Sequence, residues 1–398
     1  MSVHAWEKNL EQAQDALHQQ NWASVLKILS PIDPRTILEP RVLGALWPKV
    51  YLCIGRALRR MGNYQEAERC LRTAIQHSPP LSWEYSRGLI ELTHVYRARG
   101  EIETAWSVAR RLQQSLASGK QDLDLEYGIA IVAGRILTRL GFFSAAEAML
   151  ERALKILENN KLTHDAPVHA QALGYLGDVY LGKGDFQTAQ KLFLQSLQES
   201  RKTHAHVSFA DAVRRLTLAR ICAGVVVRSN QALKDLAIAQ QHYELTQDRG
   251  RYIYYAELGE ALRANKSQDA LLQAAKVFDN GIWAARSISH QLREAHCLLG
   301  YAETQRILSR PDEAKLYEAL RIYQASRCEW GIIHGTIAKI LIENNDLRRR
   351  KLVGWLSHQL QDKSQIKGEW PWERQLLQTV SQMTSAEIGS FLHPLNYC

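Results

Sequence analysis

The chain has 398 residues, with 50 Lys and Arg against 41 Asp and Glu, a formal charge of +9. Hydrophobic residues make up 46% and charged residues 23%, which excludes a disordered or collagen-like chain. Only 10 Pro and 23 Gly interrupt it, so long helices are favoured over many short strands.

Met1 to Gln14 is polar and charged, without an apolar run of signal-peptide length. Residues 4–30 place Trp6, Ala13 and Leu17, then Trp22, Val25 and Leu29, at helical spacing, which predicts an initial helix pair. A pattern then begins: Ile54-Gly55-x-x-Leu58-x-x-x-Gly62-x-Tyr64-x-x-Ala67-x-x-x-Leu71-x-x-Ala74. A weaker copy follows in Leu92-Thr93-x-x-Tyr96-x-x-x-Gly100-x-Ile102-x-x-Ala105-x-x-x-Ala109-x-x-Leu112. Two clear copies come next. One is Ala133-Gly134-x-x-Leu137-x-x-x-Gly141-x-Phe143-x-x-Ala146-x-x-x-Leu150-x-x-Ala153. The other is Leu176-Gly177-x-x-Tyr180-x-x-x-Gly184-x-Phe186-x-x-Ala189-x-x-x-Phe193-x-x-Ser196.

The offsets have a physical meaning. The first Gly and the later Ala are small where two helices cross closely, and the bulkier Leu, Tyr or Phe fill the flanks. The second Gly supplies the left-handed turn that ends the first helix, a conformation that costs glycine little. Each unit is therefore a helix, a tight turn and a second antiparallel helix.

These residues closely resemble the tetratricopeptide repeat. The turn Gly falls at 62, 100, 141 and 184, in steps of 38, 41 and 43. These are longer than the ~34 residues usual for the family. The second half is more degenerate. Leu258-Gly259-x-x-Leu262 looks like another first helix, with Asp269 to Arg286 as a long second one. Leu299-Gly300 followed by Pro311-Asp312-Glu313-Ala314 suggests a further pair, with Pro at a helix start. Segment 208–246 is helical by pattern but is read as lacking the turn Gly, with Val225-Val226-Val227 in its place. Gly331 to Leu360 makes a last pair. The resemblance implies an all-α, right-handed α-solenoid of about nine helix pairs. Residues 1–199 hold the clearest units, 200–360 the degenerate ones, and 361–398 a cap or tail. In that tail Gly368-Glu369-Trp370-Pro371-Trp372 reads as a turn before a short helix, Glu373 to Met383, and Ser385 to Leu392 has a helix-start look. It either covers the last repeat's apolar face or serves as a docking peptide.

Enzymatic and metal motifs do not hold up. Gly177 to Gly184 nearly spells a phosphate-binding loop, but Gly184 stands where Ser or Thr would hold magnesium, and no buried strand leads in. His204 with His206, and His164 with His169, lack a completing ligand set and read as loop histidines. Six scattered Cys argue against a disulfide framework or a zinc site and suit a reducing compartment. No run reaches the ~18 apolar residues of a membrane span. The expectation is a cytoplasmic protein without cofactor, metal or catalytic residue.

Charge is uneven: residues 1–199 carry 23 basic and 21 acidic side chains, residues 200–398 carry 27 and 20. In a tetratricopeptide superhelix the first helix of each pair lines the concave groove. The resemblance therefore points positions one, four and five after the crossing residue into it, with the position six before. Those positions hold Lys49, Arg56, Arg59 and Arg60; Arg87, His94 and Arg97; then Arg135 and Arg139. Asp178, Arg220, Glu260 and Arg263 follow, so the groove is basic across units two to four and mixed afterwards. Arginine offers a planar fork suited to carboxylate or phosphate. The family's carboxylate clamp uses Lys and Asn at these positions. Asn is absent here, which counts against chaperone-tail binding and leaves an acidic segment open.

The expected product is a long concave surface rather than an enclosed pocket. The first functional reading is a non-enzymatic adaptor or scaffold holding an acidic or phosphorylated segment of a protein partner in a hetero-complex. Its rivals are a peptide- or ligand-responsive sensor acting on a separate effector chain, and nucleic-acid binding through the basic surface. No membrane association is expected.

Overall fold

The computed structural model describes residues 3–29, 44, 46–80, 82–116, 123–160, 166–224, 229–362, 368–384, 387–388, 391–393 and 395. Among them every regular element is helical. Nine successive antiparallel pairs form the chain: α1 (Val3–His18) with α2 (Trp22–Leu29), α3 (Trp47–Met61) with α4 (Tyr64–Gln76), and α5 (Trp83–Ala98) with α6 (Ile102–Leu116). Next come α7 (Leu123–Arg139) with α8 (Phe143–Asn160), α9 (Ala166–Lys183) with α10 (Phe186–Lys202), and α11 (His206–Cys222) with α12 (Ser229–Thr246). A single turn, α13 (Gly250–Ile253), leads into α14 (Tyr255–Arg263) with α15 (Gln268–Ser287). The last pairs are α16 (Gln291–Ile307) with α17 (Glu313–Ala325) and α18 (Glu329–Ile342) with α19 (Asp346–Asp362), followed by α20 (Pro371–Gln382).

The repeat offsets are packing contacts. A Cβ on Gly55 would lie 2.7 Å from Leu71, on Gly134 2.6 Å from Leu150, and on Gly177 2.4 Å from Phe193. Gly62, Gly100, Gly141 and Gly184 take the left-handed turn, with φ of 91°, 82°, 73° and 79°. Asn63 and Asp185 then cap the following helices, accepting from the Glu66 and Thr188 N–H at 3.4 and 3.0 Å.

The degenerate units keep the same turn with other residues: Gln20, Lys266 and Ser309 have φ of 59°, 61° and 59°. Unit six corrects the sequence reading, since Gly224 at φ 65° is its turn glycine. Val225 to Val227 lie outside the described residues. Pro311 precedes the Asp312 cap of α17 rather than opening the helix. His169 lies within α9, not in a loop, and His164 falls outside the described residues.

The solenoid closes on itself every five units. Gln20 in unit one accepts the Val207 N–H of unit six at 2.9 Å. Arg60 of unit two meets Asp248 and Arg249, which lead into unit seven, and Glu103 of unit three pairs with Arg327. Units four and five receive the C-terminal segment. There the Glu369 N–H donates to the Gly141 carbonyl at 2.6 Å. Trp370 and Trp372 set edge-to-face on Phe143 and Phe186, with centroids 5.5 and 5.6 Å apart. The tail therefore caps the last pair, packing on α18 and α19, and reaches back to α9 as well. Because units six to eight lie over units one to three, the expected open concave surface is an enclosed interior.

Candidate binding passage

The inward face of each first helix is set by helical periodicity. Positions +1, +4 and +5 after the crossing residue face the axis. So do −2 or −3 and −6, one and two helical turns earlier, because side chains three to four residues apart share a face. The later positions, with −6 for Lys49 and Arg87, supply the residues named from the sequence. Positions −2 and −3, with −6 in unit six, supply Glu91, Tyr175, Asp211, Arg214, Arg215 and Glu257, which that reading passed over.

Two adjoining cavities occupy this interior. The outer, of about 170 Å³, is lined by Arg56, Arg59, Arg60, Arg87, His94 and Arg135 among others, and opens beside His18, Gln20 and Pro167. The inner, of about 80 Å³, shares Arg60, Arg135 and Tyr175 with it and adds Arg97 and Arg139. Eight of the nine sequence-selected residues thus line one passage. Lys49 does not, and stands at the surface 3.8 Å from Glu84.

In the outer cavity much of the basic charge has an internal partner. Glu91, 2% exposed, accepts from Arg59 at 2.8 Å, with Arg56 at 3.3 Å and Arg87 at 3.6 Å. Burial alone would raise its carboxyl, but Arg59, Arg56 and Arg87 outweigh that and bring it down to about 2.

The inner cavity keeps a surplus. Arg60, Arg97, Arg135, Arg139, Arg214, Arg215, Arg249 and Arg293 face it, against Asp178, Asp211, Asp248 and Glu257. Arg60 pairs with Asp248 at 2.8 Å, Arg215 with Asp178 at 2.9 Å, and Arg293 with Glu257 at 2.8 Å. Arg214 also binds Glu257. Arg135 instead lies over the Tyr175 ring at 4.1 Å and contacts His94 Nδ1 at 3.3 Å. Burial first, and the neighbouring arginines second, hold His94 and His290 well below the usual histidine pKa, so both are neutral here.

Towards the C-terminal end the interior is filled by the chain itself. Arg263 donates to the His393 carbonyl at 2.7 Å, and Arg306 to the carbonyls of Ile388 and Phe391 at 2.7 and 2.6 Å. His393 stacks on His334 and lies 3.5 Å from Glu303. Glu260 bonds Arg263 at 2.5 Å, so these two of the mixed positions belong to an internal network, whereas Arg220 lies 3.9 Å from Asp235 of α12. Gly177 to Gly184 is the end of α9 and its turn, with the Gly184 N–H spent on Leu181 at 3.1 Å. Two histidines do meet, His206 and His242 at 2.9 Å, but no group of three potential metal ligands occurs among the described residues. No described helix is long and apolar enough to cross a membrane.

Tetratricopeptide repeat models match the sequence over residues 48–81 and 129–202. Over these two stretches the chain carries tetratricopeptide repeats. No curated protein matches it. Among solved structures, it resembles a Rap protein complexed with competence and sporulation factor, with a TM-score of 0.63 at 11% identity, covering 94% of this chain and 99% of that one. It also resembles the Rap conjugation gene regulator of plasmid pLS20 in complex with the Phr* peptide, with a TM-score of 0.58 at 12% identity, covering 93% and 99%. At these identities the likeness is one of fold. It extends the tetratricopeptide architecture over units whose sequences the repeat models do not match.

Proposed function

We propose that this protein is a non-enzymatic binding module that takes an acidic segment of a protein partner into its arginine-lined passage. The observation that carries this reading is the convergence of seven arginines and His94, from units two to four, on two adjoining cavities. Arginine–carboxylate pairing would orient the segment, and the apolar walls (Leu17, Ile90, Ile131) would supply affinity. The two solved relatives of this architecture hold a factor and a peptide, which is consistent with an enclosed ligand site. Enclosure also supports a protein segment over a nucleic-acid strand, since most of these arginines face inward.

A second reading, a ligand-responsive sensor acting on a separate effector, draws support from the seam between superhelical turns. Loop contacts such as Gln20 to Val207 and Arg60 to Arg249 join it, and a ligand beside them would tighten or part the turns.

The test is affinity capture with the tagged chain from nuclease-treated extract at moderate salt, read by mass spectrometry. A stoichiometric partner with an acidic segment, lost in the Arg56→Gln/Arg87→Gln variant, is the expected result. Capture that vanishes once nuclease is added would overturn it in favour of nucleic acid.

A further inference from the structure

Three arginines of the inner cavity stand apart from the rest. Arg97 comes from α5, Arg135 from α7, and Arg249 from the loop before α13, and all three line the same cavity. Among the described residues none has a carboxylate within ion-pair distance, although Arg60, Arg215 and Arg293 beside them each do. The Nε atoms of Arg97 and Arg249 are buried without a hydrogen-bond partner. A buried charge lacking a counter-charge is strongly unfavourable, and proteins avoid it unless a ligand supplies the missing sign.

We propose that the inner cavity is a binding site for one tetrahedral oxyanion of the phosphate class, gripped by Arg97, Arg135 and Arg249. This deepens the reading above and rests on the passage being a ligand site, but it does not require the anion to belong to a protein. Three features select phosphate over a lone carboxylate. Its charge of roughly −1.5 to −2 and three non-ester oxygens match three convergent forks. The volume of about 80 Å³ has room for roughly half a dozen water-sized groups, enough for a phosphate group and too little for a helix. The Tyr175 ring, with Arg135 at 4.1 Å and Arg215 at 5.2 Å, closes one wall and holds the forks in place.

The cluster is unevenly compensated: burial would lower the Arg249 pKa, but Tyr64, Asp248 and Asp211 outweigh it and raise that pKa, whereas Arg97 is not so compensated. Burial and then Arg135, Arg139 and Arg249 hold the Arg97 pKa well below the usual arginine range. The site also spans the seam. The Arg249 main-chain N–H bonds the Arg60 carbonyl at 2.7 Å, so an anion joining Arg249 to Arg97 and Arg135 staples the second superhelical turn to the first.

The experiment is thermal unfolding and calorimetric titration of the full chain. The probes are inorganic phosphate against chloride at matched ionic strength, and one peptide carrying phosphoserine, serine or glutamate at a single position. Phosphate is expected to raise the melting temperature. Arg97→Gln is expected to raise the melting temperature of the ligand-free protein, because it removes an uncompensated charge, and to weaken phosphate binding roughly 10- to 100-fold. Arg135→Gln should weaken binding similarly, and the surface variant Arg69→Gln should leave the response unchanged. Stabilisation by free phosphate and phosphopeptide alike supports the site with the free anion sufficing. Stabilisation by the phosphopeptide alone supports it with an ester-borne phosphate. Stabilisation only by the glutamate peptide overturns the phosphate class while keeping the acidic-segment reading, and no response to any probe overturns both. A melting temperature lowered by Arg97→Gln, with the phosphate response intact, makes Arg97 structural and sinks the proposal.

Discussion

The main-chain N–H of Arg249 donates to the carbonyl of Arg60 at 2.7 Å, and its guanidinium reaches the Arg59 carbonyl at 3.3 Å. These bonds leave the end of a helix in unit two and land on the loop entering unit seven. They turn an open groove into a passage with walls from both superhelical turns. The last carbonyls of a helix lack the usual partner four residues on. The Arg59 carbonyl already accepts the Gly62 N–H at 3.2 Å, and Arg249 brings the Arg60 carbonyl a donor from the next turn.

The turn glycines carry two separate costs that a pair of variants resolves. Gly224 at φ 65° has nothing within 4 Å of an added Cβ, so Gly224→Ala should lose about 1 kcal/mol through backbone strain alone. At Gly141, φ 73°, the same Cβ would fall 2.3 Å from the Trp370 ring, so Gly141→Ala should lose about 3 kcal/mol by also unseating the tail. Urea midpoints measure both. Equal losses would mean that the tail does not pack there in solution.

Trp370 is 1% exposed against Phe143 and the Gly141 turn. Trp370→Ala should cost about 3 to 5 kcal/mol. It should also speed amide exchange around residues 138–144 on the first superhelical turn, far away in sequence. Exchange faster only within α18 to α20 would count against the contact.

Glu91 should give stability a defined acid limb. Its folded carboxyl, at about 2 against an ordinary 4.5, contributes roughly 3 kcal/mol of stability that is present above the unfolded value and is lost as pH falls through about 2. Glu91→Gln should therefore be less stable by roughly that amount at pH 7. The gap in urea midpoint should narrow as pH drops below about 4.5. A gap constant with pH would show that the pairing with Arg59 and Arg56 does not form.

His393 predicts a second limb with the opposite chemistry. Burial pushes this histidine down to about 4, against the pull of Glu303, so it is neutral in the folded tail and protonates more readily when released. Its contribution is complete above about 6.5 and is lost as pH falls towards about 4. Limited proteolysis should release the C-terminal segment progressively across that window, and His393→Asn should flatten the dependence. Release independent of pH would refute it.

Much of the repeat was legible because it is local. Gly55 with Leu71, Gly134 with Leu150, and Gly177 with Phe193 are contacts between neighbouring helices, so fixed offsets record them directly. Where Gln20, Lys266 and Ser309 replace glycine in the left-handed turn, the conformation persists but its sequence mark is gone. That is why the outer units read as degenerate. The inward arginines were legible for the same reason, being one face of a helix. Glu91 and Tyr175 share that face one turn earlier and could have been found by extending the register.

Local spacing alone therefore determined the helix pairs, their turns and the sign of the groove in units two to four. Tertiary structure alone decided what those charges meet. Closure after five units depends on small rotations summed over many interfaces, and no pair of neighbouring residues encodes that sum. It brings Asp248, Arg249 and Glu257 across to Arg60, Arg97 and Arg135, and draws the C-terminal segment into the far end. A basic surface in the sequence thereby becomes an interior in which some arginines have carboxylate partners and three, among the described residues, have no carboxylate within ion-pair distance.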